Sequence, residues 1–375
     1  MAQNGSEYGR DNEPIRRYRR KARPSGAQNG VIILLCALVV IGIIVFIMSL
    51  TGRGLFRDPT GTEKNPAQTS GTKENPADTG TGSDSQSADP MQTSDSGTDD
   101  PGTVKYKFVE KSTDDSGNGL LVLIDKDHIY RFPKSVTLEN ISDTLKRQFC
   151  QLGSAHTWKL DDGTAQREEL VLRPEVISAL NKMMEAYVTE TGFDKAIISD
   201  AYRSFDYQQA LRKGSSAAAD PGYSDYHSGA TFYIEAYVDG GIYSLSALSQ
   251  AKSSWLKEHM AEYGFIERFP AAKKSVTGYS IPWQLRYVGV PHAKYMYENN
   301  LCLEEYLNLL AEKYTYSGEH LTVTAADGAY EIFCVTAAEG GIVKLPIPEN
   351  REYTVSGDNM NGFIVTVKTA DAAAE

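Results

Sequence analysis

The sequence predicts an α+β protein, an antiparallel sheet with flanking helices, preceded by one transmembrane helix and a disordered linker. Three observations predict this fold class. An uncharged apolar run lies near the N-terminus, a stretch poor in apolar residues follows it, and helices and strands then alternate without a regular βαβ order. The net charge of −11, without a basic stripe carrying aromatic side chains, argues against nucleic acid as a partner.

The apolar run covers residues 31–50, VIILLCALVVIGIIVFIMSL. As a helix, a run of this length spans about 30 Å, the thickness of a bilayer core. Residues 1–29 carry seven Lys or Arg against three acidic residues, and such an excess of basic residues stays on the cytoplasmic side. We therefore predict a basic cytoplasmic tail at 1–29, an uncleaved transmembrane helix at 30–50, and a single-pass cell-membrane protein with an extracellular C-terminal domain.

Residues 51–103 are rich in Thr, Ser, Gly, Asp and Pro and contain a tandem repeat, GTEKNPAQTS followed by GTKENPADTG. Such a composition cannot bury a core, so it predicts a disordered extracytoplasmic linker. Beyond it, Cys150, Cys302 and Cys334 show neither a CxxC spacing nor a zinc-finger spacing. We expect these three cysteines to be small buried side chains. One disulfide among them is also compatible with the sequence, which does not determine the pair.

The globular part begins with two apolar runs, VKYKFVE and GLLVLID, whose turn-rich connection predicts a hairpin or a pair of edge strands. RPEVISALNKMMEAYVTETG predicts a core helix, with Pro174 in its first turn and Gly192 as its stop. KAIISDAYRS predicts a buried strand, and FDYQQALRKG a helix after it. The remaining predicted elements are strand TFYIEAYV, helix LSQAKSSWLKEHMAEYG, strand FIERFP, helix LEEYLNLLAEKY and a strand-rich tail.

Five motifs occur in an order and spacing that resemble the VanY-like D-alanyl-D-alanine carboxypeptidases. They are SDAYRSFDYQ, PGYSDYHSGA, YGFIERFP, KKSVTGY and IPWQLRYVGVPHA. The resemblance implies a carboxypeptidase domain over 170–315. The β-rich extensions at 104–169 and 316–375 are similar, more weakly, to segments that accompany this domain in membrane-anchored Gram-positive relatives.

The resemblance implies zinc chemistry on cell-wall stem peptides. Family members draw two zinc ligands from S-x-H-x-x-G-x-A-x-D, and a general base and a third ligand from E-x-W-H. With Ser224 and Gly229 fixing the register, the first pattern places Tyr226 at the ligand His and Tyr233 at the ligand Asp. The second pattern places Ile281 at the base and Gln284 at the last ligand. We therefore expect no metal, no cofactor and no catalytic residue at these four positions.

Other residues of the motifs are candidates for binding a ligand. Arg203 matches an arginine beside the family's active site, and Gln208 matches a companion residue on the next helix. The guanidinium of Arg203 either captures a carboxylate, such as the end of a stem peptide, or pairs with an internal acid, and the same alternative holds for Arg286. Ser224, His227 and Trp283 complete the candidates, whereas we expect His292 to be a structural histidine.

Three functions are compatible with these observations. The preferred one is a membrane-anchored pseudoenzyme that binds peptidoglycan stem peptides or an envelope protein without cleaving them. The alternative is an active D-alanyl-D-alanine carboxypeptidase with relocated ligands, or another type of hydrolase, although no G-x-S-x-G motif is present. The third is a structural or signalling adaptor that acts through its cytoplasmic tail. The membrane topology already explains the arginines of that tail.

Overall fold

The computed structural model describes residues 104–338 and 340–372. The predicted cytoplasmic tail, transmembrane helix and linker lie outside this part of the chain. Among the residues described, no helix is both long enough and apolar enough to cross a bilayer. The described residues belong to one compact unit that mixes helices with several sheets, as expected for the α+β class.

Residues 104–238 of the described part contain eight strands and three α-helices. These are β1 (Tyr106–Ser112), β2 (Glu139–Asn140), α1 (Ile141–Thr144), β3 (Gln151–Leu152), β4 (His156–Lys159), β5 (Ala165–Glu168), β6 (Val171–Leu172), α2 (Pro174–Thr191), β7 (Ala196–Asp200), α3 (Phe205–Gly214) and β8 (Thr231–Val238).

The described residues beyond 238 contain eight further strands and four α-helices. These are β9 (Gly241–Tyr243), α4 (Gln250–His259), β10 (Phe265–Phe269), α5 (Lys274–Thr277), β11 (Ile281–Tyr287), α6 (Val290–Glu298), α7 (Leu303–Lys313), β12 (Leu321–Ala325), β13 (Gly328–Thr336), β14 (Ile342–Pro348), β15 (Tyr353–Gly357) and β16 (Gly362–Asp371).

The central sheet has the strand order β10-β11-β8-β7-β3, with β9 paired to the outer end of β8. Its pairs are antiparallel except for the short β3, which runs parallel to β7 and so departs from the predicted antiparallel arrangement. Helix α2 packs on this sheet through the apolar face that the sequence predicted. Its side chains at 176, 177, 180, 183, 184 and 187 are buried in the main core, and Gly192 ends the helix in the left-handed conformation at φ 68°.

The predicted N-terminal hairpin is not formed. Strand β1 pairs instead with β14, more than 200 residues further along the chain. The second apolar run, residues 119–125, is buried but adopts no strand. Arginine side chains explain the difference, because Arg286 donates to the carbonyls of Leu120 and Val122 and Arg268 donates to that of Ile124. These bonds satisfy carbonyl groups that a strand would pair with backbone.

The strand-rich tail forms a four-stranded antiparallel sheet in the order β12-β13-β16-β15. Its core joins that of α6 and α7. His292, at the start of α6, is buried and uses both ring nitrogens there, with Nδ1 2.7 Å from the Tyr306 hydroxyl and Nε2 2.9 Å from that of Thr366. Cys150, Cys302 and Cys334 are buried and free.

Candidate functional site

Neighbouring strands bring the four substituted positions together. Gln284 on β11 lies opposite Tyr233 on β8, and Tyr233 in turn lies opposite Asp200 at the end of β7. Tyr226 belongs to the 3₁₀ turn Asp225–Ser228 just before β8, and Ile281 begins β11. Because side chains alternate along a strand, Tyr233 and Gln284 face the opposite side from the core residues Phe232 and Leu285.

A cavity of about 440 Å³ opens at this place, and we call it the cleft. All four substituted side chains line it, together with Arg203 and Ser224 among the candidate ligand-binding residues. The rest of its wall is formed by Asp200, Leu211, Ser215, Ala217, Ala218, Ala219, Tyr223, Asp225, Phe269 and Tyr279. Gln208, His227, Trp283 and Arg286 are not part of the wall.

Arg203 lies at the edge of the cleft, and its guanidinium is held from three sides. It forms a two-bond ion pair with Asp200 and donates to Oε1 of Gln208 at 3.0 Å. It also covers the ring of Tyr226, with its central carbon 4.1 Å from the ring centre. These hydrogen bonds use three of the five N–H groups of an arginine, and 17% of the side chain remains exposed. Arg203 therefore pairs with an internal acid and also borders the cleft, and its capture of a ligand carboxylate stays a prediction.

Gln208 and His227 stand behind the wall and hold it in place. Gln208 is fully buried and donates to the carbonyl of Ala219 at 2.8 Å, which ties α3 to the loop that forms one side of the cleft. His227 donates from Nδ1 to the carbonyl of Arg203 at 2.6 Å and accepts the Gly222 N–H at Nε2, at 3.1 Å. Burial lowers the pKa of His227 to about 4, so the ring is neutral and both nitrogens are occupied.

Trp283 faces away from the cleft, whereas Arg286 lies on the same sheet face as Gln284 but is enclosed and does not reach the cleft wall. Trp283 is 2% exposed, packs in the main core and donates its indole N–H to the Ser246 hydroxyl at 2.7 Å. Its φ of 68° is rare for a residue with a side chain. The register of β10 against β11 shifts close to it, between Glu267 and Phe269. This irregular backbone lies between Ile281 and Gln284 and so affects how both meet the cleft wall.

Arg286 belongs to a buried group of charges that we call the closed cluster. Its members are Asp225, Arg268, Arg286 and Glu304. Asp225 receives a bond of 2.9 Å from each of the two arginines, and Arg268 also pairs with Glu304 at 2.8 Å. Burial raises the pKa of Asp225, but the charges of Arg286 and Arg268 outweigh it and hold the pKa below its usual value. Arg286 therefore pairs with an internal acid, Asp225.

A second charged group, the open cluster, consists of Glu168, His156, Asp200 and Arg203. His156 Nε2 lies 3.0 Å from Asp200, off the line of a well-directed hydrogen bond, and Nδ1 lies 3.4 Å from Glu168. Burial disfavours the charge on His156, but the bonds and charges of the two acids outweigh it and raise the pKa of His156 above its usual value. The bonds from His156 and Arg203 likewise lower the pKa of Asp200 despite its burial.

Sequence reasoning missed His156, Glu168, Asp200, Asp225 and Arg268. Asp200 and Arg268 belong to the motifs SDAYRS and FIERFP. A charged residue within a strand that is otherwise apolar needs a buried partner, and this could have indicated both residues. His156 and Glu168 come from a short hairpin with no recognisable motif, so only the three-dimensional pairing places them at the cleft.

A larger cavity of about 540 Å³ lies between the start of α2 and α6 and the four-stranded sheet of the tail. Of the residues that the sequence nominated, only the structural His292 lines it. The chemistry of the motifs therefore belongs to the smaller cleft.

With this geometry in place, comparisons with known proteins define the class. The model of the VanY family, D-alanyl-D-alanine carboxypeptidase, matches residues 169–290, which contain the cleft strands and α3. The chain is 31% identical over 158 residues to the bifunctional D-Ala-D-Ala dipeptidase and D-Ala-D-Ala carboxypeptidase VanXYC of Enterococcus gallinarum, covering 81% of that protein. The chain therefore belongs to the VanY family.

Two further comparisons show how much of a relative's length this chain covers. A D-alanyl-D-alanine carboxypeptidase of Enterococcus faecium is 34% identical over 202 residues, which are 53% of this chain and 62% of that protein. The chain thus spans less than two thirds of this relative. The crystal structure of the vancomycin resistance D,D-dipeptidase VanXYg, solved with a D-Ala-D-Ala phosphinate analogue, superposes with a TM-score of 0.57 at 23% identity. The superposition covers 70% of this chain and 99% of the VanXYg chain, and the two proteins share the fold.

The side chains at the four positions do not fit the zinc ion that the family resemblance implies. Catalytic zinc takes three ligands from His, Cys, Asp or Glu, and Ile281 and the neutral amide of Gln284 are not suitable donors. Burial raises the pKa of Tyr226 well above 10 and also raises that of Tyr233, so both phenols keep their protons. In the described part of the chain, no group of three or more His, Cys, Asp or Glu is arranged to hold a metal.

Proposed function

We propose that this chain is a membrane-anchored VanY-family protein that binds the D-Ala-D-Ala end of peptidoglycan stem peptides outside the cell without hydrolysing it. The observation that carries the proposal is the set of side chains at one cleft. Tyr226, Tyr233, Ile281 and Gln284 occupy the positions that resemble the family's zinc ligands and general base, and all four line the same cavity. Hydrolysis by the zinc route needs three ligands and a base that can deprotonate water, and this set supplies neither.

A binding role is supported by what remains at the cleft. Arg203 borders the cavity with N–H groups that its internal partners do not use, and a planar guanidinium suits a carboxylate. Tyr223, Tyr279 and Phe269 add aromatic surface for the side chains of a short peptide. Relatives named for D-Ala-D-Ala chemistry make a peptide ending in D-Ala-D-Ala the first ligand to test.

The location is part of the same proposal. The apolar run at 31–50 would anchor the chain, and the basic residues before it would keep the N-terminus in the cytoplasm. A flexible linker of the length of 51–103 has a root-mean-square reach on the order of 40 Å, which would lift the domain into the cell-wall layer.

The test uses the full-length chain in detergent and acetylated L-Lys-D-Ala-D-Ala as probe. We expect calorimetry to give a dissociation constant of about 1 mM or tighter. We also expect no stoichiometric zinc by elemental analysis and no release of D-alanine. Arg203→Gln should weaken binding about tenfold, by loss of a charged hydrogen bond. Zinc at about one ion per chain together with D-alanine release would instead establish an active carboxypeptidase with relocated ligands.

A variant with restored chemistry is the matched positive control. It combines Tyr226→His, Tyr233→Asp, Ile281→Glu and Gln284→His. If these positions correspond to the family motifs and share one cleft, we expect the variant to gain about one zinc per chain. A folded variant that gains no zinc would show that the four positions do not converge as the proposal requires.

A further inference from the structure

The hairpin formed by β4 and β5 contacts Asp200, a residue of the cleft wall, and lies outside the residues that match the family model. Its strands pair His156 with Glu168 at the open end, before the family match begins at 169. His156 is 6% exposed and lies between the carboxylates of Glu168 and Asp200, at 3.4 Å and 3.0 Å. The cleft thus receives, from a segment outside the family match, an imidazole that lies against an acid of its wall.

Several contacts attach the hairpin to the same side of the cleft. The ring of His156 stacks on Tyr207 of α3 at 4.2 Å between ring centres, and Trp158 also packs on Tyr207. Glu168 accepts the backbone N–H of Ser204, the N-cap of α3, at 3.1 Å. The hairpin is therefore fixed to the residues on both sides of Arg203.

The charge balance around Arg203 depends on His156. The titratable groups that face His156 are Glu168 on β5, Asp200 on β7, Arg203 after β7 and Tyr207 on α3, with Tyr202 close to Glu168. Two acids and two cations balance when the imidazole is charged, whereas a neutral imidazole leaves one net negative charge at the cleft wall. A negative charge a few ångströms from Arg203 opposes an incoming carboxylate.

We propose that His156 is a positioning residue of the cleft, whose positive charge balances Asp200 and so leaves Arg203 able to bind the carboxylate of a peptide. The inference rests on the proposed function, because it assumes that a carboxylate binds at Arg203. It adds that pH regulates carboxylate binding at Arg203. The charge on His156 is complete below its usual pKa and is lost as pH rises through the raised value, so carboxylate binding weakens on the alkaline side.

The experiment measures binding to the full-length chain by calorimetry from about pH 6 to about pH 9. Two probes are compared, acetylated L-Lys-D-Ala-D-Ala and its C-terminal amide, which lacks the negative charge. We expect affinity for the acid to fall about three- to tenfold across this range and affinity for the amide to stay constant. In His156→Gln, affinity for the acid should be low and independent of pH.

Two further variants keep the test decisive. His156→Gln combined with Glu168→Gln removes one positive and one negative charge together and keeps Asp200, the partner of Arg203, so we expect binding of the acid to recover and to remain independent of pH. Glu168→Gln keeps the acceptor for Ser204 and serves if His156→Gln fails to fold. It should tighten binding of the acid, because it removes one negative charge.

The outcomes separate the two proposals. Binding of the acid that does not change with pH, or that is unaffected by His156→Gln, would overturn the role of His156 and leave the proposed function intact. Lack of binding of both probes at every pH would overturn the proposed function and the role of His156 with it.

Discussion

Asp225 and Asp200 occupy comparable positions in two charge clusters of the same domain. Asp225 lies between Arg268 and Arg286 in the closed cluster, and Asp200 lies between His156 and Arg203 in the open cluster. Both acids belong to the cleft wall, but the side chains of Asp225 and of its two arginines are 0% exposed, whereas those of Asp200 and Arg203 are 20% and 17% exposed. Two neighbouring ion groups of similar composition thus meet very different amounts of solvent.

The comparison separates support from recognition. In the closed cluster, Thr231 of β8, the arginines of β10 and β11, and the carbonyls of 120–124 are joined around Asp225, and this arrangement fixes the strands beneath the cleft. In the open cluster the donors are only partly used, and one cation is a histidine whose pKa is raised above its usual value by its hydrogen bonds to two acids and by their charges, which outweigh its burial. Charge that is buried and fully enclosed maintains the fold, while charge at the cavity edge can respond to a ligand.

The largest expected effect is on stability and distinguishes the two acids. Asp225→Asn leaves two buried arginines without their shared counter-charge, so we expect it to lower the free energy of unfolding by about 3–5 kcal/mol. Asp200→Asn is the matched change, and we expect a loss of about 1 kcal/mol because the Asp200–Arg203 pair reaches solvent and Glu168 still faces His156. Urea unfolding of the purified chain measures both. Equal losses would contradict the distinction between the clusters.

The next effect concerns pH. The pKa of His156 is raised in the folded chain, so its ion pairs stabilise the fold below the usual pKa and are lost as pH rises through the raised value. We therefore measure the His156 contribution as the difference in the free energy of unfolding between the wild-type chain and His156→Gln, because the buried neutral His227 acts in the opposite sense in both chains. We expect this difference to fall by about 1 kcal/mol between about pH 6 and about pH 9, and this fall is the slope under test. The closed cluster contains no histidine, so the same slope should be found when Asp225→Asn is present in both chains.

A control is needed for that slope, because Asp125 also raises the pKa of His128, through a hydrogen bond. His128 is 35% exposed at its side chain, so solvent screens its ion pair and its share is small. His128→Gln should therefore leave most of the slope in place. If it removes the slope, the alkaline dependence belongs to the loop at 125–128 and not to the open cluster.

Much of the frame of the cleft could be predicted from the sequence, because it rests on local patterns. Pro174, Gly192 and the spacing of apolar residues predicted α2, and FDYQQALRKG predicted α3 residue for residue. The motifs also placed Tyr226, Tyr233, Ile281 and Gln284 at one location, and the strand register brings them to one cavity. Local periodicity and motif spacing are sufficient for these features.

The features that could not be predicted depend on contacts between distant segments. The apolar run at 119–125 resembles a strand until Arg268 and Arg286 are seen to bind its carbonyls. His156 carries no motif, and its role depends on a hairpin that meets Asp200 more than forty residues later. Arg203 and Arg286 look alike in sequence, and only their surroundings show that one borders the cleft while the other is enclosed.

The smallest expected effect is the response to salt, which tests the same difference in exposure. Raising NaCl from about 0.05 M to about 0.5 M shortens the screening length to a few ångströms, and this weakens interactions that solvent can reach. We expect the stability cost of Asp200→Asn to shrink by a few tenths of a kcal/mol, because the pair of Asp200 with Arg203 is partly exposed. The cost of Asp225→Asn should stay constant, since ions cannot enter the closed cluster. A salt response of equal size for the two variants would mean that solvent reaches Asp225 in solution.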